Sequence, residues 1–199
     1  MALVYITLQN KLYDIFKAMN DIHSNGDEYM GANVADEISS YISQGTVNTV
    51  DSGVGSAGGS YTGKGTGTMK INTSLLKNKL TSTFLSKSNN VELARKISSD
   101  IDNVCSMQNT IKTNTSGTSV LPSSSYPDSG VGNGTFSSQS NIIYSKLKDC
   151  FDAMNKMYQN GNMYMAQEFA KAVDEYLKSG NINVNLQAPM SGSGSGKIS

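Results

Sequence analysis

Leu8, Leu12, Ile15, Met19 and Ile22 follow one another at steps of four, three, four and three, the spacing that gathers side chains on one face of an α-helix. Ile143, Leu147, Cys150, Met154 and Met157 repeat it near the other end of the chain. A second helical stripe follows each: Met30, Val34, Ile38, Tyr41 and Ile42 in one place, Met165, Phe169, Val173, Tyr176 and Leu177 in the other. Asn25-Gly26 and Asn160-Gly161 stop the first helix of each pair, because Asn and Gly tolerate the left-handed closing residue. Asp27 or Asn162 is then placed to cap the next helix, and Gly45 and Gly180 end it. Two amphipathic helices joined this closely predict an antiparallel helical hairpin.

Beyond each hairpin the period changes to two. Thr46-Val47-Asn48-Thr49-Val50 and Asn181-Ile182-Asn183-Val184-Asn185-Leu186 predict strands. After a turn region, glycine occupies every second position: Gly63, Gly65 and Gly67, then Met69; Gly130, Gly132 and Gly134, then Phe136; Gly192, Gly194 and Gly196, then Ile198. Alternate residues of a strand share one face, so these runs leave a face without side chains. Such a strand is weak alone and marks the close approach of another backbone. The nine glycines are therefore candidate packing positions, within the chain or between subunits, and unpaired strand edges are expected to be open to neighbouring subunits. The alternative is a flexible Gly/Ser linker; recurrence in one register, each time before an apolar residue, favours the strand and makes residues 191–196 native sequence.

The same plan is written three times. Residues 11–47 laid on 146–182 without a gap give fourteen identities in 37 positions. A divergent middle copy has Leu76, Leu80 and Phe84 on its first helix and a second helix near residues 91–107, with Pro122 and Pro127 in a Ser-rich loop before its glycines. The expected fold class is α+β: three repeats of a helical hairpin followed by a β-strand pair with an alternating-glycine strand, at residues 1–72, 73–139 and 140–199, the hairpins covering the strands on one side. The expected core is Leu12, Ile15, Met19, Met30, Ile38, Tyr41, Leu147, Met154, Met165, Val173 and Tyr176. Each unit is near the lower size limit for an independent core, so the units are expected to share one or to lean on partners.

Composition narrows the function. Lys plus Arg equals Asp plus Glu at 16 each, and only 16% of residues are charged, so no basic surplus exists to hold nucleic acid. Ser, Thr, Asn and Gly dominate the polar residues, a surface suited to dense packing. No apolar run approaches a membrane span. Met1-Ala2-Leu3-Val4-Tyr5 lacks the basic and long apolar regions of a signal peptide, so a cytosolically made soluble protein is expected. Cys105 and Cys150 are far apart in sequence and read as reduced core thiols.

The chemical motifs are weak. Gly53-Val54-Gly55-Ser56-Ala57-Gly58 matches a dinucleotide-binding pattern, but further glycines follow where a helix must open. The stretch from Gly58 to Lys64 resembles a phosphate loop, with Gly65 where Ser or Thr belongs. His23, the sole histidine, has Tyr158 as its counterpart and no ligand partner at metal spacing; it reads as a surface or capping residue. Asp14 and Asp149 read as a solvated face. No catalytic residue, cofactor, metal or small-molecule substrate is expected.

The stretch Ala35-Asp36-Glu37-Ile38-Ser39-Ser40-Tyr41-Ile42-Ser43-Gln44-Gly45-Thr46-Val47 with its glycine-alternating strand resembles small repeat-containing structural proteins of tailed bacteriophages. Ala170-Lys171-Ala172-Val173-Asp174-Glu175-Tyr176-Leu177-Lys178-Ser179-Gly180-Asn181-Ile182 carries the likeness again. The middle copy departs from it, with Asp100 in place of the tyrosine. The resemblance implies a non-enzymatic virion subunit of head, neck, tail or baseplate, packed against other virion proteins and itself. The alternative expectation is a carbohydrate- or host-surface-binding decoration or fibre module, with Tyr61 and Tyr126 exposed for stacking on sugars.

Overall fold

The computed structural model describes residues 3–22, 24–86, 88–156 and 159–199. Among them lie six α-helices and six strands, in the order α1 (Tyr5–Ala18), α2 (Gly26–Gln44), β1 (Val47–Val54), β2 (Ser60–Ile71), α3 (Thr73–Leu85), α4 (Asn90–Met107), β3 (Asn109–Leu121), β4 (Ser124–Ser137), α5 (Asn141–Met154), α6 (Gly161–Ser179), β5 (Asn181–Leu186) and β6 (Ser191–Ile198). The fold is α+β.

The six strands form a closed antiparallel barrel in sequence order, with β6 returning to β1. Closure continues past the strand ends: the Thr46 and Ser199 amides each donate to the other's carbonyl, at 2.8 and 2.9 Å. The expected free edges are thereby largely consumed. The helices form a second ring, in which each packs against its sequence neighbours and α6 packs against α1. Two hydrogen bonds cross the ring, one buried and one part-buried. The Tyr41 hydroxyl donates to Asp174 at 2.6 Å and the Tyr176 hydroxyl to Asp102 at 2.7 Å. Lys178 answers the Asp174 charge at 2.9 Å and donates to the Leu3 carbonyl at 3.1 Å, pinning the start of the chain.

All five helix–strand junctions lie at one end of the barrel and the three strand–strand turns at the other. The helices therefore close one end of the barrel, where a covering of one side was expected, and the outward strand positions stay exposed. One buried cluster draws on every helix and continues into the near ends of the strands through Val47, Met69, Ile111, Phe136, Ile182 and Ile198. Tyr61, Leu186 and Met190 form a small separate cluster toward the turns.

Of the expected core, Leu12, Ile15, Ile38, Tyr41, Leu147, Val173 and Tyr176 are buried. Met30, Met154 and Met165 are half-buried against the cluster. Met19 is half-buried in the 3-10 turn Met19–Asp21, where the helix tightens and its stripe swings off the core. Ile22 likewise lies past that turn, and Met157 lies outside the described residues. Asp27 and Asn162 are not caps. Asn25 and Asn160 take the left-handed conformation, with φ 56° and 60°, and stand immediately before α2 and α6. One residue thus ends the connection and opens the helix, leaving Asp27 inside the first turn. The Ser-rich stretch expected as a loop is the first half of β4: Pro122 lies in the turn, and Pro127 lies in the strand.

Candidate functional site

Six strands close a tube narrower than the eight-stranded barrels whose interior side chains just fill. Small inward residues are the physical solution. Val47, Thr49 and Asp51 face inward from β1; Tyr61, Gly63, Gly65, Gly67 and Met69 face inward from β2. β4 contributes Gly130, Gly132, Gly134 and Phe136, and β6 contributes Gly194, Gly196 and Ile198, with Gly192 at the outer rim. The alternating glycines thus line the barrel interior, where neighbouring strands and side chains occupy the space of the missing Cβ atoms. A Cβ on Gly67 would lie 1.9 Å from the Lys112 carbonyl oxygen, and one on Gly196 would lie 1.8 Å from that of Asn48. On Gly63 it would meet the Tyr61 hydroxyl, on Gly130 the Met190 sulfur, and on Gly134 the Ile111 and Val184 methyls. A Cβ on Gly192 would lie 2.2 Å from the Ser52 carbonyl oxygen.

The middle of this interior is polar. Asp51 is 1% exposed, and neither of its carboxylate oxygens has a hydrogen-bond partner. The Thr49 and Thr113 hydroxyls are buried and unpartnered in the same way. Beside them the Tyr61 and Thr115 hydroxyls bond each other at 2.7 Å. Three of these side chains converge over one glycine. A Cβ on Gly65 would sit 2.3 Å from Thr49 Oγ1, 2.7 Å from Asp51 Oδ2 and 3.4 Å from Thr113 Cβ. Gly194 and Gly132 hold open the flanks, their Cβ positions lying 1.8 Å from Asp51 Oδ1 and 2.8 Å from Thr113 Oγ1. Sequence reasoning selected these glycines and missed Thr49, Asp51 and Thr113. The available signal was period two counted from Val47, which carries residues 49 and 51 to the same face.

At the far end, Asp128 ties β4 to the β1–β2 turn. It accepts from the Ser56 amide and hydroxyl at 2.8 Å each, from the Ser119 hydroxyl at 2.8 Å and from the Ser129 amide at 3.0 Å. The Ser56 amide first, then the Ser119 hydroxyl, hold its carboxyl below the ordinary value of 3.8. A lowered carboxyl contributes stability above its unfolded pKa and loses it as pH falls through the folded value. Asp128→Asn should therefore speed hydrogen exchange at the Ser56 amide near neutral pH, with the difference from the parent vanishing in acid. Parallel exchange profiles through the acid range would show that the contact does not hold the turn.

The remaining sequence candidates scatter. Gly53 and Val54 end β1, and Gly55, Ser56, Ala57 and Gly58 lie between β1 and β2 with no helix following; Lys64 points outward from β2. Asp14 and Asp149 are exposed. His23 and Tyr158 lie outside the described residues. Tyr61 is 1% exposed inside the barrel, and Tyr126 is half-buried with its hydroxyl donating to the Gly58 carbonyl at 3.1 Å. Both were expected to be free for stacking; the narrow barrel draws one inward and the turn engages the other. Burial pushes the Cys150 thiol up to about 12 and raises Cys105 further, so both are unreactive at neutral pH. Burial, then hydrogen bonding to Asp174, raises Tyr41. Tyr176 is raised chiefly by burial as well. Among the described residues no three His, Cys, Asp or Glu side chains gather as a metal-binding group, and no helix is long and apolar enough to cross a membrane.

Comparison with protein-family models, curated proteins and solved structures finds no match to this chain.

Proposed function

We propose that this chain is a non-enzymatic structural subunit of a tailed-phage virion, made in the host cytoplasm and acting by packing against other virion proteins and copies of itself. In this reading it consists of three repeats, at residues 1–72, 73–139 and 140–199, arranged around one axis. The observation that carries it is closure. The order helix, helix, strand, strand occurs three times, and the helix ring and the barrel both close where the two ends of the chain meet. A body so closed offers similar flanks around its circumference, which suits a place in a symmetric ring or shell. Its outer barrel wall supports the same reading. The exposed strand positions carry chiefly Ser, Thr and Asn, with Val50, Val54, Val120 and Val131, the lysines Lys64, Lys70, Lys112 and Lys197, and no carboxylate among the described residues. Its uncharged Ser, Thr and Asn positions suit close packing, and its four lysines suit a neighbour that presents carboxylates. The resemblance of residues 35–47 and 170–182 to phage structural proteins gives the assembly its class.

The reading as a glycan-binding decoration module loses the two tyrosines on which it rested, since one is enclosed and the other is held by the turn. Mass spectrometry of purified particles tests the proposal. The chain should be present in stoichiometric amount and remain after washing in high salt; its absence from particles would overturn the assignment. Specific binding of the isolated chain to a glycan array would favour the decoration module instead.

A further inference from the structure

We propose that the barrel interior is a binding site for one hard monovalent cation, with the Asp51 carboxylate as its charged ligand and the Thr49 and Thr113 hydroxyls as neutral ligands. The inference is independent of the virion assignment. It starts from an electrostatic imbalance. A buried carboxylate is very unfavourable unless it is paired or hydrogen-bonded. Asp51 is 1% exposed, both its oxygens lack partners, and no Lys, Arg or His among the described residues pairs with it. A cation from outside the chain would supply the missing countercharge.

The surrounding chemistry selects the ion. The unpartnered atoms are all oxygens: two from Asp51 and one each from Thr49 and Thr113, residues that are 4% and 1% exposed. Oxygen donors suit hard cations, whereas softer transition metals favour imidazole and thiolate. A single carboxylate balances one positive charge. A divalent ion would leave a net charge in the interior, with the same desolvation penalty that the site has to relieve. Two of the oxygens converge, since Thr49 Oγ1 and Asp51 Oδ2 both lie within 2.7 Å of the Cβ point of Gly65; Thr113 stands beside them with its Cβ 3.4 Å from that point and its Oγ1 2.8 Å from the Cβ point of Gly132. Glycine at 65, 132 and 194 is what admits these oxygens; alanine at 194 would place a methyl 1.8 Å from Asp51 Oδ1. Such a site would lock β1 to β3 across the bare strand β2.

The test uses the full chain, dialysed into choline chloride and then unfolded thermally at one pH over matched concentration series of sodium, potassium or choline chloride. Binding to the folded state alone predicts that Tm rises by about 3–6 °C for each tenfold increase in the bound alkali ion above its Kd, and is flat in choline. The salt with the larger slope identifies the ion. Asp51→Asn should abolish the slope. Thr113→Val, which keeps the side-chain shape, should fold and reduce it. If Asp51→Asn does not fold, the parent salt series and Thr113→Val decide. A thallium anomalous peak between Asp51, Thr49 and Thr113 would place the ion. Equal midpoints in all three salts, or an ordered water alone at that position, would overturn the proposal.

Discussion

Replacing Gly67 or Gly196 with valine is expected to abolish the barrel. The first Cβ would lie 1.9 Å from the Lys112 carbonyl oxygen and the second 1.8 Å from that of Asn48. These obstacles are backbone atoms held in strand ladders, where Gly67 pairs with Thr113 and Gly196 with Thr49, so no side-chain rotation relieves them. Valine has the higher strand propensity and would favour an isolated β2 or β6. Overpacking ordinarily costs about 1–3 kcal/mol, and here the collision is with the framework. A marginal stability of about 5–15 kcal/mol leaves little reserve once a ladder must separate. Gly58→Ala serves as the control: its Cβ meets nothing within 4 Å, and its φ of 82° adds only local strain. Chemical denaturation should show both valine variants unfolded or far less stable than Gly58→Ala. Parent-like midpoints for Gly67→Val and Gly196→Val would return the glycine runs to the linker reading.

That prediction shows how far the sequence reaches. The helices were legible because an apolar stripe at 3.6-residue spacing fits one face of a helix and neither face of a strand; Leu12, Ile38, Leu147 and Val173 all lie on the buried faces. The alternating glycines identified strands with one bare face. Which direction that face took was not legible, because a glycine strand has no hydrophobic side to orient it. Closure was hidden for a related reason. Pairing of β1 with β6 joins residues nearly 150 positions apart, and neither strand carries a signal naming its partner. The candidate site was obscured by an inverted pattern. In Val47-Asn48-Thr49-Val50-Asp51 a hydrophobic-in rule turns Val50 inward and Asp51 outward. The barrel does the reverse, leaving Val50 70% exposed and Asp51 1% exposed. Val47 fixes the register by joining the helix-facing cluster, and period two then carries Thr49 and Asp51 inward whatever their polarity.

Phe136 is where the helix ring and the barrel depend on each other, and Phe136→Ala is expected to weaken both together. The ring is 2% exposed at the helix end of β4. It packs edge-on against Tyr176 of α6, with centroids 5.6 Å apart. It also occupies the space beside Gly180, whose Cβ would fall 2.2 Å from Phe136 Cε2, so the chain leaves α6 for β5 against this ring. Truncating a buried phenylalanine costs about 3–5 kcal/mol through lost transfer energy and the cavity left behind. An aromatic pair adds about 0.5–1.5 kcal/mol. Tyr176 also donates to Asp102 on α4, so loosening its ring disturbs a bond between helices as well as the barrel floor. Far-UV circular dichroism for the helices and hydrogen exchange in β4 and β5 for the barrel should therefore report one shared transition, at lower denaturant than in the parent. Phe136→Leu should fall between the two. If the helical signal keeps its parent midpoint while the strands exchange freely, the two layers are separate folding units and the single core assigned to them is wrong.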